Sequence, residues 1–408
     1  MSHRFRAALL ALLYFSLPAQ AAEEFPKPVK PVPHPHNDPF YTQPGGDELA
    51  TVAPGTVLRF RPIQAKAYFV LSIGGDAWQL MYRTTDHHNQ PVAHVTTVLV
   101  PKKAPPNGRV LLSYQTAYDG LTLTCAPSHQ MLKGAVLEQA LITPALRKGW
   151  VVTVPDYEGP QSLWGVGLNA GQSVLDGIRA TQLFAPAELD GLATPVAVMG
   201  YSGGAIASGW AAELQADYAP ELDIRGFAVG GLPVNVETVA RRIDGTLLSG
   251  MYMAVATSLG RAYPEINVDS LLNERGKRMM ARVGNTCAGQ FLSGTQDPLT
   301  LYPFRRMSRY TTVPQLLDLP EVQRAIALNT LGQRVPMAPM YIYQGKLDEL
   351  IPIRDVDAVV EHYCESGVPV QYRRVLNDHL LLAITGHRGA LRYLSDRIAG
   401  IPAPSNCD

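Results

Sequence analysis

Two periods of apolar and polar residues alternate along this chain. Short apolar runs at 77–83, 95–100, 110–115 and 150–155 predict strands, and the longer stretch at 135–148 carries helical spacing. A second helix is expected at 171–184, a strand at 196–199, and a helix rich in small residues at 203–215. The alternation resumes late, with strands at 340–344 and 370–375 and helices at 355–366 and 390–398. Strands and helices taken in turn predict an α/β fold, a mostly parallel central sheet flanked on both faces by helices.

Three stretches break the pattern. Residues 235–335 are helical but irregular, with Arg241, Arg242, Arg275, Lys277 and Arg278 scattered among Met251, Met253, Met279 and Met280. An insertion at that point hangs over the strand ends where open α/β folds bind ligands, so it is expected to be a helical cap or lid. The core then comprises 61–234 and 336–408. Residues 22–60 form an irregular N-terminal arm rich in Pro and His; its His34 and His36 are read as solvated side chains, not metal ligands. Residues 1–21 join Arg4 and Arg6 to a short apolar run and the small-x-small triplet Ala19-Gln20-Ala21, the parts of a cleavable signal peptide. The expected location is secreted or periplasmic, with no transmembrane segment in the mature chain.

Composition narrows the field. The 408 residues are 46% hydrophobic, and 35 basic side chains balance 35 acidic ones. A neutral chain offers no electropositive surface for phosphate backbones, which removes nucleic acid as a partner. The four cysteines, Cys125, Cys287, Cys364 and Cys407, form no C-x-x-C pair. In an exported protein an even count points to disulfides, and the sequence alone permits three connectivities.

The candidate chemistry centres on Gly200-Tyr201-Ser202-Gly203-Gly204, between the apolar run Val196-Ala197-Val198-Met199 and the helix opening Ala205-Ile206-Ala207. A bare G-x-S-x-G is a weak signal, but strand, sharp turn and helix together make a nucleophile elbow. The turn sets Ser202 at a helix N-terminus, with the Gly203 amide facing a developing oxyanion. A serine hydroxyl needs a base to take its proton, and the base needs a carboxylate to fix its tautomer. Chain order in such folds is serine, acid, histidine. Asp348 follows the strand at 340–344 and His379 follows the strand at 370–375, both at the sheet edge expected for Ser202. Glu349 and Asp355 rival the acid, and His387 rivals the base. The loop Thr116-Ala117-Tyr118-Asp119-Gly120 is the candidate for the second oxyanion donor. Asp119 could donate from its side chain only if burial kept it protonated; otherwise it reads as a turn aspartate.

Several segments together resemble the secretory lipase family, the Candida antarctica lipase A-like branch of the α/β-hydrolases. They are Ser113-Tyr114-Gln115, Cys125-Ala126-Pro127-Ser128, Val154-Pro155-Asp156-Tyr157-Glu158-Gly159, Leu175-Asp176-Gly177-Ile178-Arg179-Ala180, the elbow, Tyr218-Ala219-Pro220-Glu221-Leu222, Gly230-Gly231, Asp348-Glu349-Leu350-Ile351-Pro352, Tyr363-Cys364 and His379. The resemblance runs from about residue 60 to the end. It implies an α/β-hydrolase core with an inserted lid, and a catalytic triad of Ser202, Asp348 and His379. It further implies an oxyanion hole from Gly203 and Asp119, and disulfides joining Cys125 to Cys287 and Cys364 to Cys407. One departure is that the chain stops one residue after Cys407, without the C-terminal flap of the yeast-type lipases. Less enclosure of the acyl chain is expected, which bears on long-chain substrates and not on ester hydrolysis itself.

The expected function is therefore hydrolysis of carboxylic esters, triacylglycerol lipase-like, through an acyl-enzyme on Ser202. Small-molecule or lipid esters are the expected substrates, with transient lipid-surface contact through the lid, and no metal or organic cofactor enters the mechanism. The alternatives are a secreted serine peptidase of the same fold and a non-catalytic binding protein that kept it.

Overall fold

The computed structural model describes residues 22–407 apart from 29, 68–70, 73–74, 104, 106–107, 137 and 289–295. The proposed signal peptide at 1–21 lies outside the described residues. The described residues form twelve strands: β1 (Glu23–Glu24), β2 (Val57–Ile63), β3 (Lys66–Ala67), β4 (Leu71–Ser72), β5 (Asp76–Thr85), β6 (Pro91–Val100), β7 (Leu111–Gln115), β8 (Val151–Pro155), β9 (Val196–Tyr201), β10 (Ile224–Gly230), β11 (Met340–Gly345) and β12 (Val370–Val375). Ten build one sheet in the order β1-β2-β5-β6-β8-β7-β9-β10-β11-β12, while β3 and β4 make a small hairpin. From β8 to β12 every pairing is parallel; β2, β5, β6 and β8 pair antiparallel.

Burial accounts for this division. β7, β8 and β9 read Leu-Leu-Ser-Tyr-Gln, Val-Val-Thr-Val-Pro and Val-Ala-Val-Met-Gly-Tyr, and every residue in them is buried. Such unbroken runs suit central parallel strands covered on both faces. One face packs against helices Gly167–Gln182, Gly203–Tyr218 and Ile353–Glu365, around Val174, Ile178, Trp210, Leu214 and Val356. The other packs against Gln139–Arg147 and His387–Ile398, around Ile142, Ala145, Leu391 and Leu394.

Beyond the expected elements, β1, β2 and β10 join the main sheet, and short helices appear at Gly46–Ala50, Pro127–Lys133 and His379–Thr385. β2 has a mixed burial pattern that gives little periodic signal, and the helix at His379 is only seven residues long. The N-terminal stretch is mostly irregular, yet Glu23 and Glu24 pair with Arg59 and Phe60.

Between β10 and β11 the chain makes helices Val236–Ile243, Ser249–Ala262, Glu274–Val283 and Pro320–Leu328, with shorter turns between them. This region is tied back to the loop after β7. Cys125 and Cys287 are bonded, Leu121 donates to the Thr286 carbonyl at 3.0 Å, and Ala288 donates to the Asp119 carbonyl at 2.9 Å. At the far edge, the amide of Asn406 donates to Val370 and its side chain bonds both backbone groups of Tyr372, so the tail covers the edge of β12. The bond between Cys364 and Cys407 pins that tail.

The two disulfides span 162 and 43 residues. The chain-entropy model gives each about 4–5 kcal/mol, the longer loop about 1 kcal/mol more than the shorter. Cys125→Ala/Cys287→Ala should therefore lower the urea midpoint further than Cys364→Ala/Cys407→Ala; equal losses would show that the longer bridge constrains little of the unfolded chain.

Candidate active site

Ser202 sits between β9 and helix Gly203–Tyr218 with φ 52° and ψ −119°, a conformation L-residues adopt only under constraint. Its neighbours explain the glycines around it. A β-carbon on Gly204 would lie 2.0 Å from the Gln115 carbonyl oxygen, and one on Gly203 would lie 1.7 Å from Asp119 Oδ1. The close approach packs the turn against the loop after β7. The Ser202 amide donates to the Gly230 carbonyl at 2.9 Å, which fixes the turn to β10 as well.

Three side chains from distant parts of the chain meet here. Ser202 Oγ lies 2.9 Å from His379 Nε2, and His379 Nδ1 lies 2.8 Å from Asp348 Oδ2. Asp348 and His379 are buried. Asp348 Oδ1 accepts the amides of Leu350 and Ile351 at 2.9 and 2.7 Å, and Oδ2 also accepts Gln344 Nε2 at 2.8 Å. With every direction around the carboxylate supplied with donors, its charge is tolerated in the interior. His379 opens the helix His379–Thr385, its amide donating to Glu349 and its carbonyl accepting the Tyr201 hydroxyl at 2.6 Å. The Tyr201 ring lies 5.1 Å from the imidazole, centroid to centroid.

Asp119 is treated in the opposite way. It is buried beside Gly203, and its Oδ1 has no hydrogen-bond partner among the described residues. Burial pushes its carboxyl up to about 7, against a smaller opposing pull from His379. Two further carboxyls stand behind the same loop. Glu138 accepts the Ala117 amide and Glu158 the Gly120 amide, at 3.3 Å each. Burial raises both, Glu138 to about 8, and the neighbouring Asp119 adds to each shift.

An apolar cavity opens from Ser202. Asp119, Gly203, Trp164, Ile206, Leu350 and Ile351 line it from the core, and Val236, Ala240, Tyr252 and Val255 from the inserted helices. A second apolar cavity among those helices shares the same four residues of the insertion.

The rival side chains fall elsewhere. Glu349 uses its carboxylate on the His379 amide, Asp355 accepts the Thr238 hydroxyl, and His387 is buried at the start of the last helix, where desolvation lowers it to about 4. Residue patterns missed Gln344, Tyr201, Glu138 and Glu158 as parts of the site. The available signals were small: a glutamine near the end of an otherwise apolar strand, and two acids flanking the loop and the strand that pack on it. Among the described residues no cluster of three or more His, Cys, Asp or Glu side chains is arranged to hold a metal ion, and no helix is long and apolar enough to cross a membrane.

Comparison with known proteins places this geometry in context. The model of the secretory lipase family matches residues 130–406. A Mycobacterium tuberculosis protein named a probable inactive lipase is 37% identical over 93% of this chain and 86% of its own. Lipase A of Arthroderma benhamiae is 35% identical over 92% of this chain and 82% of its own. The solved structure of Candida antarctica lipase A superposes with a TM-score of 0.83 at 30% identity, covering 92% of this chain and 88% of that one. The fold is accordingly that of the α/β-hydrolases, in its lipase A form.

The isolation of Asp119 has a measurable consequence. A carboxyl raised from 3.8 to about 7 in the folded state holds its proton where the unfolded chain has released it. Stability is then full below 3.8, falls as pH rises from there to about 7, and stays reduced above. Asp119→Asn removes this term, so its melting temperature should exceed that of the wild type at pH 8, with the difference shrinking toward pH 4. A pH-independent difference would rule out the raised carboxyl.

Proposed function

The chain belongs to the secretory lipase family, and from that premise we propose that it is an exported serine carboxylic-ester hydrolase, lipase-like in its choice of substrate. The observation that carries the proposal is the unbroken hydrogen-bonded series Ser202–His379–Asp348 beside an apolar cavity.

In the proposed mechanism His379 Nε2 takes the proton of Ser202 Oγ as the oxygen attacks the ester carbonyl. The imidazolium that forms is held by Asp348 through Nδ1, and the donors around Asp348 keep it from drifting. The tetrahedral oxyanion receives the Gly203 amide and the proton of neutral Asp119. Collapse expels the alcohol, which takes its proton from His379 and leaves an acyl group on Ser202. Water then enters, gives a proton to the same nitrogen, and releases the acid and the free serine.

The cavity supports the choice of substrate. Its walls are aliphatic and aromatic save at Asp119 and Ser202, which suits an acyl chain and offers no charged partner for a peptide. The inserted helices form the outer wall, and we assign them the role of a lid. The leader at 1–21 and the family's secretory character support export.

The relative named a probable inactive lipase makes the nucleophile the point to test. A fluorophosphonate probe should label the wild type on Ser202 and leave Ser202→Ala unlabelled, with p-nitrophenyl ester hydrolysis lost in step. No adduct on the folded wild type would favour a non-catalytic binding protein. Within the active enzyme, Asp119→Ala should lower kcat by about 10²–10³-fold. Asp119→Asn, which keeps a donor that cannot titrate, should retain more activity and flatten the decline of rate above pH 7.

A further inference from the structure

Asp119 carries strain in its backbone. Its φ of 22° falls where L-residues stay only when their surroundings keep them there. Oδ1 has no hydrogen-bond partner among the described residues, although it lies so close to Gly203 that a β-carbon there would stand 1.7 Å away. The neighbours of Asp119 in the loop supply the constraint. Two residues before it, the Ala117 amide donates to Glu138 Oε1 at 3.3 Å; one residue after it, the Gly120 amide donates to Glu158 Oε2 at 3.3 Å. Glu138 caps the helix Gln139–Arg147 and Glu158 follows β8, so two separate parts of the core hold the loop on either side of Asp119. Tyrosines reinforce the second of them. The Glu158 amide donates to the Tyr118 hydroxyl at 2.6 Å, and the Tyr157 hydroxyl donates to the Thr116 carbonyl at 2.8 Å.

Acids are an unusual choice for this work. Glu158 is 1% exposed, and Glu138 Oε2 is shut away with no hydrogen-bond partner among the described residues. Burying a carboxyl is unfavourable unless a cation or several donors meet it. Asp38 and Asp176, buried elsewhere in the molecule, each pair with an arginine. Arg261, the cation that acts on Glu158, directs its guanidinium instead to the carbonyls of Leu121, Gln161 and Gly284. An apolar side chain of the same length would fill either position without burying a carboxyl, but it would leave a loop amide unpaired. What Glu138 and Glu158 supply is therefore the acceptor oxygen at each of the two amides. The charge of Asp119 also acts on both of them, which places the three carboxyls within one electrostatic reach.

We infer that Glu138 and Glu158 are positioning residues for the ester hydrolysis proposed above: they hold the amides on either side of Asp119 and so keep its carboxyl against Gly203, where the oxyanion forms. This role rests on the hydrolase reading. A double-mutant cycle on a short soluble p-nitrophenyl ester tests it. Glu138→Met and Glu158→Met fill the same space without an acceptor, and each should lower kcat by about tenfold or more while KM stays within about twofold. Glu138→Gln and Glu158→Gln keep an oxygen for the amide and should restore most of that loss. In an Asp119→Ala background no carboxyl remains to be placed, so either methionine should lower kcat by less than about twofold further. Equal losses in the two backgrounds overturn the proposal, because they would come from the fold at large and not from Asp119. A change confined to KM, or glutamine variants no better than the methionine ones, overturns it as well. A wild type that hydrolyses no ester defeats the hydrolase reading and the positioning role with it; an active wild type whose kcat survives both methionines overturns the positioning role alone.

Discussion

A chain leaving β9 reverses direction within a few residues, and it does so while pressed against the backbone that leaves β7. The Gln115 carbonyl and the Asp119 carboxyl occupy the space where β-carbons of Gly204 and Gly203 would stand. Only glycine fits such an approach. The same squeeze holds Ser202 at φ 52°, lifts its hydroxyl toward His379, and leaves the Gly203 amide beside Asp119. Parallel strands supply the frame, because β7, β9, β11 and β12 all end on one side of the sheet. Side chains following those ends converge without any of the four strands having to bend.

Two buried aspartates then receive contrary surroundings. Asp348 meets two backbone amides, a glutamine amide and the imidazole, so its charge is shared among four partners. Asp119 meets none at Oδ1, and burial raises its carboxyl to about 7, while its own charge in turn raises Glu138 and Glu158 behind it. One site thus combines a carboxylate fully supplied with donors and a carboxyl that burial raises. Asp119 Oδ1, which no group among the described residues hydrogen-bonds, borders the cavity beside Gly203.

The sequence made much of this legible, for identifiable reasons. The strands from β7 to β9 are buried throughout and mostly apolar, which leaves short apolar runs in the sequence. The elbow could be read because close backbone approach leaves a composition: glycine where nothing else fits. Asp348 and His379 followed from their places after strands. β2 and β10 were not legible, since half-buried or bulged strands mix polar and apolar residues without a clean period. Gln344 and Tyr201 escaped for another reason. Their roles depend on which atoms lie across the sheet, and a single strand carries no record of its neighbours. The environment of Asp119 lies in the same category, because a raised carboxyl is a property of what surrounds it and not of the residue.

The bridge between Cys125 and Cys287 connects these levels. It is buried, and it fastens the inserted helices to the loop that carries Asp119, where Gly120 pairs with Cys287 and Ala288 donates to the Asp119 carbonyl. The outer wall of the cavity and the isolated carboxyl therefore share an anchor. Any movement of the inserted helices that uncovered Ser202 would have to pivot about this point, leaving the segment near 287 in place while Val236 to Val255 shift. Those two parts differ accordingly in what holds them. Around Cys287 lie a covalent bond and backbone pairing, while Val236, Ala240, Tyr252 and Val255 face the cavity with apolar side chains. Apolar contacts are non-directional and exchange for those of another apolar group at little cost, whereas backbone pairing must be broken bond by bond. The fold thus places replaceable contacts over the mouth of the site and fixed ones over its electrostatics.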